Sequence, residues 1–118
     1  MTNSFIYMQL QTGDVTGAKE FYSQMFGWSV EEDPKSPIRY TEINTKTGPR
    51  AGLMSMLPAD GQPKWLPYIG VETLDAAIEK LTQLGGSVLM PASKAGEKGT
   101  YAIVADPAGA HFALWESR

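Results

Sequence analysis

His111 is the only histidine in the chain, and an imidazole is the side chain best suited to exchange a proton near neutral pH. It starts the run His111 to Glu116 and shares its parity with Ala113 and Trp115. General-base work would need a carboxylate to orient the ring, and spacing places none beside it, so the plainer reading is a partly solvated histidine at a strand start. Tyr7, on the polar side of the first strand, is the second candidate acid or base. Asp106 opens the turn signature Asp106-Pro107-Ala108-Gly109, where a carboxylate bonds backbone amides two residues on. Glu31-Glu32-Asp33 reads as a solvated strand end rather than a cation site. There is no cysteine, so thiolate metal sites, disulfides and a cysteine nucleophile are excluded together. The glycines have neither GxGxxG nor P-loop spacing, and no Ser nucleophile elbow occurs, so nucleotide binding and serine catalysis are not indicated.

The elements that must hold these residues come in two copies. A shift of 59 residues lays Val15 on Leu74, Ala18 on Ala77, Glu20 on Glu79, Gln24 on Gln83, Met25 on Leu84 and Gly27 on Gly86, and twice that shift is the whole 118-residue chain. Phe5 to Gln11 alternates as a strand, with Ile6, Met8 and Leu10 facing a helix and Tyr7, Gln9 and Gln11 facing away. Val15, Ala18, Phe21, Tyr22 and Met25 form one helical stripe, Asp14 is the N-cap and Gly27 the stop. Trp28–Glu32, Arg39–Thr45 and Ala51–Leu57 read as further strands. In the second half, Trp65–Val71 is a strand, Leu74–Leu84 a helix, and Val88–Pro91, Tyr101–Ala105 and His111–Glu116 are strands, with Ala92–Gly99 expected as a mobile loop. The reading is α+β: two tandem βαβββ modules, residues 4–57 and 65–117, joined by a Pro/Gly-rich linker at 58–64 within one domain.

Ten basic and 13 acidic side chains give a formal charge of −3, with no Lys/Arg stripe, so nucleic acid is not expected as a partner. No apolar run approaches the roughly 20 residues that span a bilayer, and the amino terminus lacks a leader pattern. A soluble cytoplasmic protein is the expectation.

FYSQMFGW before a strand, together with Asp106-Pro107-Ala108-Gly109-Ala110-His111-Phe112-Ala113-Leu114-Trp115, resembles the vicinal oxygen chelate superfamily of glyoxalase I, bleomycin-resistance proteins and extradiol dioxygenases. The resemblance covers essentially the whole chain. It implies two curved four-stranded sheets around a central cavity, helices outside, and a homodimer. Metal-using members place four ligands on the first and fourth strand of each module, and those positions fall here on Tyr7, Met54, Leu66 and Ala113. A neutral phenol, a thioether, an isobutyl group and a methyl group do not hold a divalent ion, so no metal and no cofactor is expected. Metal-assisted proton transfer or dioxygenation should then fail.

Tyr7, Gln9, Met54, Met56, Leu66, Tyr68, Ala113 and Trp115 share the inward parity. They either fill the space that a metal and substrate occupy in relatives or form a wall for a small hydrophobic or aromatic molecule. The first reading is a metal-independent binding protein that sequesters or senses such a compound. The alternatives are a glyoxalase-like lyase or isomerase acting without metal through Tyr7 or His111, and an accessory protein-interaction module with a plugged cavity.

Overall fold

The computed structural model describes residues 2–32, 41–55 and 61–118. Among these residues ten elements follow one another: β1 (Phe5–Thr12), α1 (Val15–Phe26), β2 (Ser29–Glu32), β3 (Thr41–Asn44), β4 (Arg50–Ser55), β5 (Lys64–Gly70), α2 (Leu74–Gln83), β6 (Ser87–Lys94), β7 (Gly99–Ala105) and β8 (His111–Ser117). This is βαβββ stated twice, as the repeat predicts. The chain divides into two compact units, Tyr7–Leu66 and Pro67–Arg118, the latter also holding the residues up to Ile6.

In the Tyr7–Leu66 unit the strand order is β2-β3-β4-β1, with β1 parallel to β4 and the other pairs antiparallel. Leu10, Val30, Ile43, Ala51 and Leu53 are buried on the helix side, with Met8, Val15, Ala18, Tyr22, Trp28 and Trp65 packed against them. Asp14 caps α1 by accepting the Gly17 N–H at 2.9 Å. Gly27 closes it at φ 71°, a left-handed conformation that glycine adopts without strain. Tyr22 anchors the helix. It stacks on Trp28 at 5.8 Å, meets Trp65 edge-on at 5.4 Å, and accepts the Trp65 Nε1–H at 3.2 Å.

One expectation for α1 fails. Phe21 and Met25 do not join the buried stripe, being 58% and 62% exposed. At about 100° per residue both lie on the flank of the arc defined by Val15, Ala18 and Tyr22, which packs against the core.

In the other unit the order is β5-β8-β7-β6, with β5 parallel to β8 and the remaining pairs antiparallel. Leu74, Ala102, Val104 and Leu114 are buried beneath α2, with Val71, Ala77, Ile78, Leu81 and Phe112 around them. Thr73, at the N-cap of α2, makes no side-chain capping bond. The role passes to β8, whose Glu116 Oε1 accepts the Leu74 N–H at 2.6 Å. A carboxylate there also meets the positive end of the helix dipole. Pro67 lies in β5 just before the register with β8 begins at Tyr68, so its missing N–H costs no bond in that pairing.

The expected loop at Ala92–Gly99 is shorter. β6 continues to Lys94 through Pro91, because register shifts between Val88 and Met90 and between Met90 and Ser93 let the strand pass the proline while still pairing with β7. The remaining turn is closed by Ala95 N–H to Gly99 O at 2.9 Å.

The two modules also differ in register. In the first, Gln11 stands opposite Met54; 59 residues on, the counterpart of Met54 is Ala113, which stands opposite Tyr68 rather than Gly70. The offset is two residues, an even number, so every side chain keeps its face.

Replacing either helix cap should lower stability without changing the fold. Asp14→Ala should cost about 1 kcal/mol, the usual loss for an N-cap carboxylate. Glu116→Ala should cost at least as much, since Thr73 leaves α2 no cap of its own. Urea midpoints at constant slope would check both.

Candidate functional site

The site residues are set by the side of each strand that faces away from its helix. In the Tyr7–Leu66 unit that side carries Tyr7, Gln9 and Gln11 of β1 and, across the parallel pairing, Gly52 and Met54 of β4. Gln9 and Gln11 are 4% and 2% exposed, and the Gln11 Nε2–H donates to Gln9 Oε1 at 3.4 Å. Two primary amides buried side by side supply donors and acceptors that a purely apolar wall lacks. Tyr7 and Met54 are half-buried beside them. Gln11 is a residue the sequence reading did not select, although its parity with Gln9 was visible. Met56 lies outside the described residues. Leu66 is buried, at the parity of Tyr68 in β5.

In the Pro67–Arg118 unit the corresponding side carries Tyr68, Ala113 and Trp115, and the pairing of Trp115 with Tyr101 in β7 adds a ring that the sequence reading missed. Tyr101 opens the run Tyr101–Ala105, read as a strand but apolar throughout, so its face could not be assigned without the β7–β8 register. Tyr68 lies 6.2 Å from Tyr101 and 6.4 Å from Trp115, both tilted, a range in which aromatic pairs attract. Tyr68 and Ala113 are buried and Trp115 is half-buried, its Nε1–H donating to Ser117 Oγ at 3.0 Å. Desolvation by burial raises the Tyr101 phenol above its ordinary pKa of 10.0. Gly99 leaves the room that Trp115 fills: a Cβ there would stand 2.8 Å from the indole ring and would collide with the Glu116 carbonyl oxygen.

His111 is half-buried and stands opposite Ala105 in the β7–β8 register. Asp106 does what its turn signature predicts, accepting the Ala108 and Ala110 N–H groups, both at 2.9 Å. Among the described residues, clefts are open within single units. One of about 160 Å³ lies in the β3–β4 hairpin from Glu42 to Ala51, and one of about 220 Å³ lies between Lys94, Thr100, Glu116 and Arg118. Neither is lined by Tyr7, Gln9, Met54, Tyr68, Ala113 or Trp115.

The four positions where the resemblance puts metal ligands do not fit a divalent ion. Tyr7 and Met54 share a face in one unit, and they offer a phenol and a soft thioether. Leu66 and Ala113 offer no donor atom. Among the described residues no three His, Cys, Asp or Glu side chains are grouped to hold a metal. No helix among them is long and apolar enough to cross a membrane.

Comparison with known proteins agrees with this architecture. The sequence profile of the glyoxalase/bleomycin resistance protein/dioxygenase superfamily matches residues 4–114. The chain is similar to the protein named "Putative glyoxylase CFP32" of Mycobacterium tuberculosis, with 33% identity over 116 residues, covering 94% of this chain and 44% of that one. It is also similar to the anthracycline biosynthesis protein DnrV of Streptomyces peucetius, with 29% identity over 126 residues, covering 92% of this chain and 45% of the other. The chain thus spans less than half the length of these relatives. Among solved structures, methylmalonyl-CoA epimerase from Mycobacterium tuberculosis superposes with a TM-score of 0.67 at 17% identity, covering 99% of this chain and 89% of that chain. That likeness is one of fold.

The Tyr101 environment has a measurable consequence. With its folded-state pKa above the unfolded value, the phenol contributes stability that is present below pH 10 and lost as pH rises through the raised pKa. Ultraviolet titration should show a tyrosine step above the ordinary range, and Tyr101→Phe should remove it.

Proposed function

The chain belongs to the glyoxalase/bleomycin resistance protein/dioxygenase superfamily, and from that membership we propose that it binds a small, flat, partly aromatic compound without a metal, sequestering or sensing it. The observation that carries this reading is the group of three rings, Tyr68, Tyr101 and Trp115, gathered on the side of β5, β7 and β8 that faces away from α2. Trp115 is the ring with surface to offer, and the two tyrosines back it. A partly exposed indole held by neighbouring rings and by Ser117 is preorganised, so little side-chain entropy is lost when a planar ligand stacks on it. The buried Ala113 supports this group of rings without touching ligand.

Metal independence is supported by the donor chemistry of Tyr7, Met54, Leu66 and Ala113. The relative named for anthracycline biosynthesis makes fused-ring aromatic polyketides the first compounds to try. The relative named as a glyoxylase favours a second reading, metal-free proton transfer with Tyr7 or His111 as acid or base. In either reading the protein acts in the cytoplasm on a small molecule.

Metal analysis of protein purified without chelator should find no stoichiometric zinc, nickel or iron. A thermal-shift screen of fused-ring aromatics should then raise the melting temperature, because a ligand selective for the native state stabilises it. Trp115→Ala should weaken the best hit about tenfold, corresponding to about 1.4 kcal/mol. Stoichiometric metal that restores turnover would overturn the reading. Turnover by metal-free protein that His111→Ala or Tyr7→Phe abolishes would select the enzymatic one.

A further inference from the structure

Tyr101 holds an oxygen that the fold does not use. The residue is 9% exposed, yet among the described residues its hydroxyl makes no hydrogen bond, whereas the nearby Trp115 Nε1–H is spent on Ser117. No side-chain oxygen or nitrogen among those residues is at once fully enclosed and unpartnered, so the Tyr101 ring is covered while its hydroxyl keeps an opening. A polar group held nearly buried without a partner is a cost to the fold, and such costs gather where a protein meets a ligand.

The β7–β8 register sets what surrounds that hydroxyl. Tyr101 stands opposite Trp115, and the rows beside that pair are Gly99 with Ser117 and Ile103 with Ala113. All six share the side of the two strands that faces away from α2. His111, opposite Ala105 at the far end of the same face, is about 13 Å along the strand from Trp115. No carboxylate, lysine or arginine of β7 or β8 stands on this face.

We propose that Tyr101 selects the ligand: its hydroxyl donates to a carbonyl oxygen on the edge of a flat, uncharged compound stacked on Trp115, so the class bound is a fused-ring ketone or quinone rather than an aromatic hydrocarbon or a carboxylate. This rests on Trp115 being the stacking surface proposed above. Directly opposed cross-strand residues have Cβ atoms about 4.5–5.5 Å apart, so the edge of a ring lying on the indole comes within reach of the phenol beside it. Burial raises the Tyr101 pKa above 10.0, so at neutral pH the hydroxyl keeps its proton. A phenol, whose oxygen lone pair is drawn into the ring, gives a hydrogen bond more readily than it takes one. A carboxylate would be stripped of water against rings and methyl groups with no cation on this face to meet it. A ketone oxygen needs one donor and brings no charge.

Equilibrium dialysis of 9-fluorenone and fluorene against wild type, Tyr101→Phe and Trp115→Ala tests it. The two flat tricyclic compounds differ at one carbon, a carbonyl in the first and a methylene in the second. Wild type should hold fluorenone roughly three- to tenfold more tightly than fluorene, the weight of one neutral hydrogen bond. Tyr101→Phe should erase that preference by weakening fluorenone alone. The substitution deletes no internal hydrogen bond, so the variant should keep the wild-type circular dichroism. Equal affinity for the two compounds in wild type and Tyr101→Phe, with Trp115→Ala weakening both, would overturn the Tyr101 assignment and leave the stacking surface standing. Binding of neither compound, or binding indifferent to Trp115→Ala, would remove the stacking surface and the assignment with it. A Tyr101→Phe chain that fails to fold would also overturn the assignment, since the hydroxyl would then be serving the protein itself.

Discussion

The pleat of the strands is the constraint from which the rest follows. Side chains leave a strand alternately to opposite faces, and in this chain β1 and β8 each give their apolar residues to a helix and the intervening ones to the other side. Met8 and Leu10 pack toward α1 while Gln9 and Gln11 turn away. Phe112 and Leu114 pack toward α2 while Ala113 and Trp115 turn away. A slip of one residue would exchange the two sets, exposing side chains whose burial is worth about 1.5–3 kcal/mol each and burying glutamines under the helix. Slips of two carry no such penalty, and the offset between the two modules is of that size. Core and candidate site are therefore specified by the same alternation.

The helices are fastened to the sheets by different means in the two halves. α1 relies on local chemistry at its start, where Asp14 caps it, and on a cluster of rings at its end, where Tyr22 joins Trp28 and Trp65. α2 has fewer aromatic contacts and no local cap. It borrows a carboxylate from β8, so the end of the last strand and the start of the helix depend on each other. Repetition of the sequence thus preserved the plan of the module while the fastening diverged.

Much of this was legible in the residues. The helix bounds, the stop at Gly27, the turn at Asp106 and the two-faced strands all follow from short-range rules of capping, backbone conformation and period. What could not be read depended on pairing. The place of Tyr101 beside Trp115 needs the β7–β8 register. The cap from Glu116 joins residues 42 apart. The extension of β6 past Pro91 needs the bulges that only its partner strand defines. The exposure of Phe21 and Met25 was missed for a related reason, since a helical stripe shows which residues can face a core but not how wide that core is. As for the candidate site, its parity was visible early, whereas the burial of Leu66, Tyr68 and Ala113, which depends on how the strands pair, was not.

The irregular course of β6 has a further consequence. It is the outermost strand of its unit, and outermost strands offer unpaired amides that recruit other chains into fibrils. A proline without a donor, two breaks in register and the terminal Lys94 spoil that template along much of its length, while Val88 and Leu89 keep their apolar side chains partly in water. The kinks thus act as a guard against edge-to-edge aggregation, letting the strand tolerate exposed apolar residues that a straight, regular border could not.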